Sequence, residues 1–398
     1  MKILMIVSQL NTTIKDGGNI RSWKFIEALS PLNELSLIYF NNEKSDLQSP
    51  IFKKYFKNVY QLAYPSISQS YFDRLRFLFL GIPWEIQLIF SKENQNRILD
   101  IIKENQIDYI LIRYLPLSSY FCTQGQLSLY HNKVIVDLDD LQFITNARQI
   151  QNSNNGFILK NRLKFNNYLL MKYYLRVIHF KKVFVCSDVD YDFLTKKFNF
   201  NNCTIVPNAI TVDDYASVSN SCCSNFKNIL ICGNLSYQPN EDSVLWFVNK
   251  IFPIIQKSVN VKLVIAGANP KNTIYELLKF NSQIEVHANV PDMKVYLNKA
   301  SLVAVPLRSG SGTRIKILEA MASHRPVVST TIGAEGLGVT HQKHCLIADT
   351  INDFANECIM VLQKPYNFNE MINNAFNYVR NNYDSSIVDS KIVSAFAN

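Results

Sequence analysis

Val303-Ala304-Val305-Pro306-Leu307-Arg308-Ser309-Gly310-Ser311-Gly312-Thr313-Arg314-Ile315-Lys316-Ile317-Leu318-Glu319-Ala320-Met321-Ala322 reads as a short apolar strand, a loop of small residues and a helix. Thr313 is of the N-cap type, and Ile315, Leu318 and Ala322 recur at helical spacing on a face that would meet a sheet. Proline cannot continue a helix, so Arg325-Pro326 ends it, and the β-branched run Val327–Ile332 resumes as strand. Strand, loop, helix and strand make a βαβ unit, whose loop lies at the carboxyl end of the first strand, where such sheets bind ligands.

Two cations sharpen this reading. Arg314 and Lys316 fall in the expected first helical turn, where backbone N–H groups and the macrodipole already present positive potential. Each cation there is unfavourable by about a few tenths of a kcal/mol unless an anion is bound. The pattern describes a phosphate or diphosphate seat, with glycines letting the ligand approach the backbone. Glu319, one turn on, would accept hydrogen bonds from a hydroxylated ligand. The same spacing also fits a solvated face on which Lys316 and Glu319 form an i,i+3 pair.

Residues 311–322, followed by Arg325-Pro326-Val327-Val328 and Gly333-Ala334-Glu335-Gly336, resemble the donor-site signature of family 4 glycosyltransferases. The resemblance implies the α/β GT-B fold: two Rossmann-like domains facing across a cleft, with a C-terminal helix crossing back to the N-terminal domain. It implies an acceptor-binding domain over 1–210, joined by about 378–398, and a nucleotide-sugar-binding domain over 226–377. The implied reaction moves a sugar, with retention, from a UDP- or GDP-linked donor to a glycan or lipid-linked acceptor, in cell-surface polysaccharide or glycoconjugate synthesis. No metal or other cofactor is expected.

The remaining sequence fits two such domains. The chain has 398 residues, 47% of them hydrophobic and 18% charged, with no apolar run long enough to span a membrane. Met1–Val7 runs into a polar loop and reads as a first buried strand, not a signal peptide. The eight cysteines contain no CxxC pair, and even Cys222-Cys223 falls in a polar stretch, so reduced cytoplasmic thiols are expected. Gly17-Gly18 precede a helix over Asn19–Leu29, and the resemblance makes both glycines candidate site residues. Val134–Val136 ends in Asp137, Asp139 and Asp140; clustered acids at a strand end suit acid/base or cation work, or cap a turn. Family members commonly carry histidine then aspartate here; this chain has Asp139 and Asp140, both taken as catalytic candidates beside Arg314 and Lys316.

In the second half, Asn228–Asn234 and Val261–Gly267 are strand-then-glycine segments, and Val290 follows a further strand at the expected nucleobase border. Gly233, Asn234, Gly267, Val290, Ser311, Gly312, Thr313 and Glu319 are the implied donor-binding residues. Asn234 stands where many relatives have an arginine, with no lysine at 238 or 239, so Arg314 with Lys316 is the expected substitute. Ser311 replaces the first of the family's paired glutamates. Glu319, the second, is expected to hold the ribose hydroxyls. These departures leave a non-catalytic nucleotide-sugar-binding partner, or a GT-B epimerase, as alternatives.

The net charge of +9 is concentrated between Arg148 and Lys182, a stretch without one acidic residue, where Lys160, Arg162, Lys164, Lys172 and Arg176 alternate with Phe165, Tyr168 and Tyr173. No nucleic-acid motif accompanies it. An anionic membrane surface or a lipid-diphosphate acceptor suits it better, which would place the protein at the inner face of the cell membrane; an ordinary solvated helix face also fits. Residues 70–91 form an aromatic amphipathic patch that would dock on lipid or pack as a helix pair. Residues 213–225 read as an interdomain linker. No G-x-G-x-x-G follows either opening strand, which argues against a dinucleotide-dependent oxidoreductase.

Overall fold

The computed structural model describes residues 1–8, 10, 17–41, 50–65, 81–122, 126–152, 156–216, 227–279 and 281–397. Two compact units emerge: Met1–Pro207 together with Asp389–Asn398, and Asn208–Val388. Residues 70–80 of the amphipathic segment expected over 70–91, and Cys222-Cys223, lie outside the described residues. The 213–225 linker is described only at its start, where Asp213–Ala216 is a short helix of the second unit.

The first unit is built on a seven-stranded parallel sheet: β1 (Lys2–Val7), β2 (Glu34–Phe40), β3 (Asn58–Leu62), β4 (Tyr109–Arg113), β5 (Val134–Asp137), β6 (Lys182–Val185) and β7 (Cys203–Ile205). Their spatial order is β3-β2-β1-β4-β5-β6-β7. The chain steps outward from β1 to β3, returns to the other side of β1 and continues to β7. The switch point therefore lies between β1 and β4. Strands such as Ile3–Val7 and Val134–Asp137 are buried throughout because helices cover both faces, which is why they read as continuous apolar runs.

The second unit repeats the plan with β8 (Lys227–Asn234), β9 (Val261–Ala268), β10 (Ile284–Ala288), β11 (Leu302–Val305), β12 (Val327–Ser329) and β13 (Leu346–Ile347), ordered β10-β9-β8-β11-β12-β13. Its switch point lies between β8 and β11.

Several boundaries differ from the sequence reading, each for a local reason. The first helix begins at Gly17 rather than Asn19, so the glycine pair forms its first turn. The β12 strand stops at Ser329 because the Thr330 hydroxyl accepts from the Gly333 N–H at 3.0 Å and caps a short helix, Thr331–Ala334. The helix expected from Asn240 starts at Gln238 and passes through a π turn at Phe247–Ile251. Helix Ile315–Ala322 also buries Ile317, Ala320 and Met321, because helix Asn369–Tyr383 packs on it opposite the sheet. That second helix presents Met371, Ala375, Val379 and Tyr383 at intervals of one turn. It belongs to the second unit. From the chain's end, the first unit takes only Asp389 onward, where Phe396 meets the rings of Phe184 and Tyr109 at centroid distances of 5.8 and 6.5 Å.

The core of the second unit converges on Phe354, fully buried edge-on to Trp246 and Phe247 at 6.3 and 6.0 Å. Phe354→Ala is expected to cost about 3–5 kcal/mol through transfer and cavity terms. A urea midpoint essentially equal to wild type would contradict that placement.

Candidate active site

At the second switch point two backbones approach closely. Gly233 and Gly267 are paired across β8 and β9, and a methyl on Gly267 would run into the Gly233 carbonyl oxygen. Gly233 has φ +141°, and a Cβ there would sit 2.8 Å from the Lys316 ammonium. Glycine is therefore needed at both positions. Lys316 donates from Nζ to Asn240 Oδ1 at 2.8 Å, and Asn240 Nδ2 donates to the Asn234 carbonyl at 2.8 Å. The Asn234 side chain closes its own turn, accepting from the Ser236 N–H and hydroxyl at 3.1 and 2.8 Å. It thus fills a structural place where the relatives' arginine was the comparison. Burial, followed by smaller contributions that include the nearby Arg314, holds the Lys316 ammonium down to about 8.

The loop from Pro306 to Thr313 continues from β11 on the other side of that switch point. Gly310 and Gly312 take φ +125° and +74°, and a Cβ on Gly310 would meet the Arg314 guanidinium at 2.8 Å. Arg314, not Thr313, is the N-cap residue, and helix Ile315–Ala322 starts one position later than expected. The Arg314 Nη1 donates to the Ser311 carbonyl and, at 2.5 Å, to the Gly312 carbonyl. The side chain therefore folds over its own loop and braces it. Thr313 is engaged elsewhere, its hydroxyl accepting from Asn208 Nδ2 at 2.6 Å. Glu319 accepts from the Tyr215 hydroxyl at 2.8 Å. Arg308 grips Asp242 through two hydrogen bonds, at 3.0 and 2.5 Å, and its guanidinium lies over Trp246 at 5.5 Å. Gly233, Asn234, Gly267, the 310–314 loop and Lys316 thus gather at the carboxyl ends of β8, β9 and β11. Val290 follows β10, at the far edge of that row.

The first unit has its own cluster at the carboxyl ends of β4 and β5. Asp137 is fully buried and takes Arg21 Nε and Nη2 at 2.8 and 2.6 Å, and Arg113 Nη1 on the same carboxylate. Arg113 also donates from Nε to Ser22 Oγ at 3.0 Å, and from Nη2 to the Gly18 carbonyl and Asp139 Oδ2, each at 3.1 Å. Asp139 holds φ +60°, an uncommon backbone state for a residue with a side chain. Its carbonyl accepts from the Cys186 thiol at 2.7 Å. The acidic cluster read as acid/base or cation chemistry is corrected in part: Asp137 and Asp139 are engaged by two guanidinium groups. Asp140 contributes its carbonyl to Tyr174 at 3.4 Å. Gly17 and Gly18 stand beside this network, Gly18 through its carbonyl. Among the described residues no group of three or more His, Cys, Asp or Glu is placed to hold a metal ion.

Arg21, Arg113, Asn208, Tyr215 and Asn240 were not singled out from sequence. Arg113 did leave a signal, as a cation closing the apolar strand Tyr109–Arg113. Tyr215 left none, because it lies in a stretch whose composition reads as linker.

Residues 226–364, all within the second unit, match the family model for glycosyl transferases group 1. An uncharacterized 44.6 kDa protein in the cps region of Klebsiella pneumoniae is 27% identical over 412 aligned positions, covering 98% of each chain. Among solved structures, sucrose-phosphate synthase from Thermosynechococcus elongatus aligns with TM-score 0.72 at 12% identity, covering 100% of this chain and 98% of that one. Anabaena HepE, solved in complex with UDP and glucose, aligns with TM-score 0.70 at 14% identity over 100% of both chains. The architecture they share with this chain, two parallel α/β sheets in one polypeptide, is GT-B. The segment that matches the family model therefore carries the Lys316 and Arg314 cluster, and the first unit carries the arginine–aspartate network.

Arg113→Met should cost about 3–5 kcal/mol, since it leaves Asp137 buried with one guanidinium in place of two. Denaturant titration followed by circular dichroism measures it, and a loss below about 1 kcal/mol would show that Arg21 alone satisfies the carboxylate.

Proposed function

We propose that this protein transfers a sugar, with retention of anomeric configuration, from a UDP- or GDP-linked donor to a glycan or lipid-linked acceptor. The observation that carries this reading is the half-buried ammonium of Lys316. It sits at the start of a helix, against a glycine, at the switch point of a group 1 glycosyl transferase domain. A positive group held there gains its solvation from an anion, and a diphosphate fits both the charge and the glycine-lined approach. As the sugar–oxygen bond breaks, charge develops on the departing diphosphate. Lys316, Arg314 and the helix N–H groups stabilise that charge more than the ground state. Because side chains supply this positive charge, the reading calls for no bound metal.

In this reading Gly233, Gly267 and the 310–313 loop admit the diphosphate, Val290 borders the base, and Glu319 takes the ribose hydroxyls. Ser311, in place of the family's first glutamate, would meet the donor sugar with a hydroxyl. Gly17, Gly18, Asp139 and Asp140 are assigned to the acceptor and sugar side. Retention, family 4 membership and a role in surface polysaccharide or glycoconjugate synthesis belong to the same proposal. HepE's complex with UDP and glucose and the cps-region location of the Klebsiella relative support it.

A cytoplasmic protein in peripheral contact with an anionic membrane is part of the proposal. Helix Phe157–Tyr174 opens with Phe157 and Ile158 exposed at 81% and 85%, beside Lys160 and Arg162. Among the described residues no helix is long and apolar enough to cross a membrane.

Two measurements test the donor site. Arg314→Ala should lower turnover roughly a hundredfold with the fold intact, read by release of UDP or GDP in the presence of acceptor. Unchanged turnover would remove Arg314 from the mechanism. Nucleotide affinity should also depend on pH. Because the free lysine is held down to about 8, a bound diphosphate must raise it, and binding takes up a proton above that pH. Affinity is then greatest below pH 8 and weakens roughly tenfold by pH 9, and Lys316→Arg, which stays charged, flattens the profile. A flat profile for the wild type would remove the ammonium from the diphosphate site.

A further inference from the structure

The segment that opens the second unit is strapped across the glycosyl transferase helix. Asn208 donates to the Thr313 hydroxyl at 2.6 Å, and the Tyr215 hydroxyl donates to Glu319 Oε1 at 2.8 Å. The strap is anchored from behind. Ile210 N–H donates to the Tyr383 carbonyl at 3.0 Å, Ser385 N–H to the Ile210 carbonyl at 2.8 Å, and Val212 N–H to Asp384 at 3.2 Å. Ala209, Ile210 and Val212 are buried beneath it. Tyr215 is thereby presented to Glu319 from a backbone fixed at several points, not from a free loop.

We propose that Tyr215 is a positioning residue for Glu319: by donating to Oε1 it fixes the orientation in which the carboxylate meets the paired ribose hydroxyls of the donor nucleotide. This rests on the reading of Glu319 as the ribose contact. Two physical features support it. Burial, reinforced by the adjacent Glu319 carboxylate, pushes the Tyr215 phenol well above its ordinary value, so it remains an O–H donor throughout the working range. A glutamate also has three rotatable bonds, and ordering them before the ligand arrives removes an entropic cost from binding. The strap would therefore set discrimination between ribonucleotides and nucleotides lacking the hydroxyls.

The test measures dissociation constants of UDP and GDP, and of their 2′,3′-dideoxy counterparts, by calorimetry on the full chain. Wild type should prefer the ribonucleotide by at least about tenfold, and Glu319→Ala should abolish that preference. Tyr215→Phe should weaken the ribonucleotide roughly five- to tenfold, the effect of one hydrogen bond, while changing dideoxynucleotide affinity by no more than about twofold. Asn208→Ala, which cuts the strap's other contact, should leave the ribose preference in place and so separates general loosening from the proposed role. Equal weakening of both nucleotide types by Tyr215→Phe, or no weakening of either, overturns the positioning role while leaving the donor site standing. A ribose preference that survives Glu319→Ala, or no binding of either nucleotide, overturns the donor reading itself. Thermal denaturation of each variant confirms that it is folded. If Tyr215→Phe is not, Tyr215→His, which keeps a donor, must retain the ribose preference, and its loss there counts against the proposal.

Discussion

An ammonium held against a backbone that has no room for a side chain is the constraint around which the second unit is arranged. Lys316 occupies the space a Cβ of residue 233 would need, and Gly267 is in turn excluded from carrying one by the Gly233 carbonyl. The approach of the strand ends excludes a side chain at 267, and the lysine excludes one at 233. The lysine then finds Asn240 as its neutral partner, and Asn240 finds the carbonyl of Asn234. Each member of the chain fixes the next. A charge so placed is poorly solvated, and a bound anion relieves that cost.

The first unit solves a related problem with the opposite outcome. Arg21 and Arg113 enter the interior together with Asp137, and Asp139 adds a second carboxylate at the edge, so two positive and two negative groups lie within one network. Guanidinium suits this role because its planar fork serves carboxylate, hydroxyl and carbonyl at once, as Arg113 does with Asp137, Ser22 and Gly18. The network ties the start of helix Gly17–Leu29 to the ends of β4 and β5. It thereby sets the backbone on which the glycine pair and Asp139 are displayed.

Legibility in the sequence followed the range of the interactions involved. The β11–helix–β12 unit was readable because apolar runs, small-residue loops and Pro326 act over a few neighbouring positions. The helix start was misjudged by one residue. Thr313 has the right chemistry for a cap, but its hydroxyl is claimed by Asn208 from 105 positions away. Asp137 and Asp139 looked like a free acidic cluster because their partners, 24 and 116 positions distant in the case of Asp137, are invisible locally. The Tyr215–Glu319 bond spans 104 positions, and the Ser- and Asp-rich composition around Tyr215 masks a segment anchored at several backbone points. Periodicity identifies which segments are strands and helices, whereas the pairing of polar groups is decided by which segments meet.

The membership of Asp389–Asn398 in the first unit bears on how the polypeptide is made. Phe396 packs against the rings of Phe184 and Tyr109, Lys24 pairs with Asp389 at 2.9 Å, and Lys182 donates to the Ala395 carbonyl. A ribosome delivers Lys24, Tyr109, Lys182 and Phe184 some two hundred or more residues before their partners. The amino-terminal half must wait for its last helix while the other half emerges and folds between them. Until residues 389–397 have emerged, the face of Phe184 that Phe396 covers stays open to water, an interval in which chaperones would count for more than final stability.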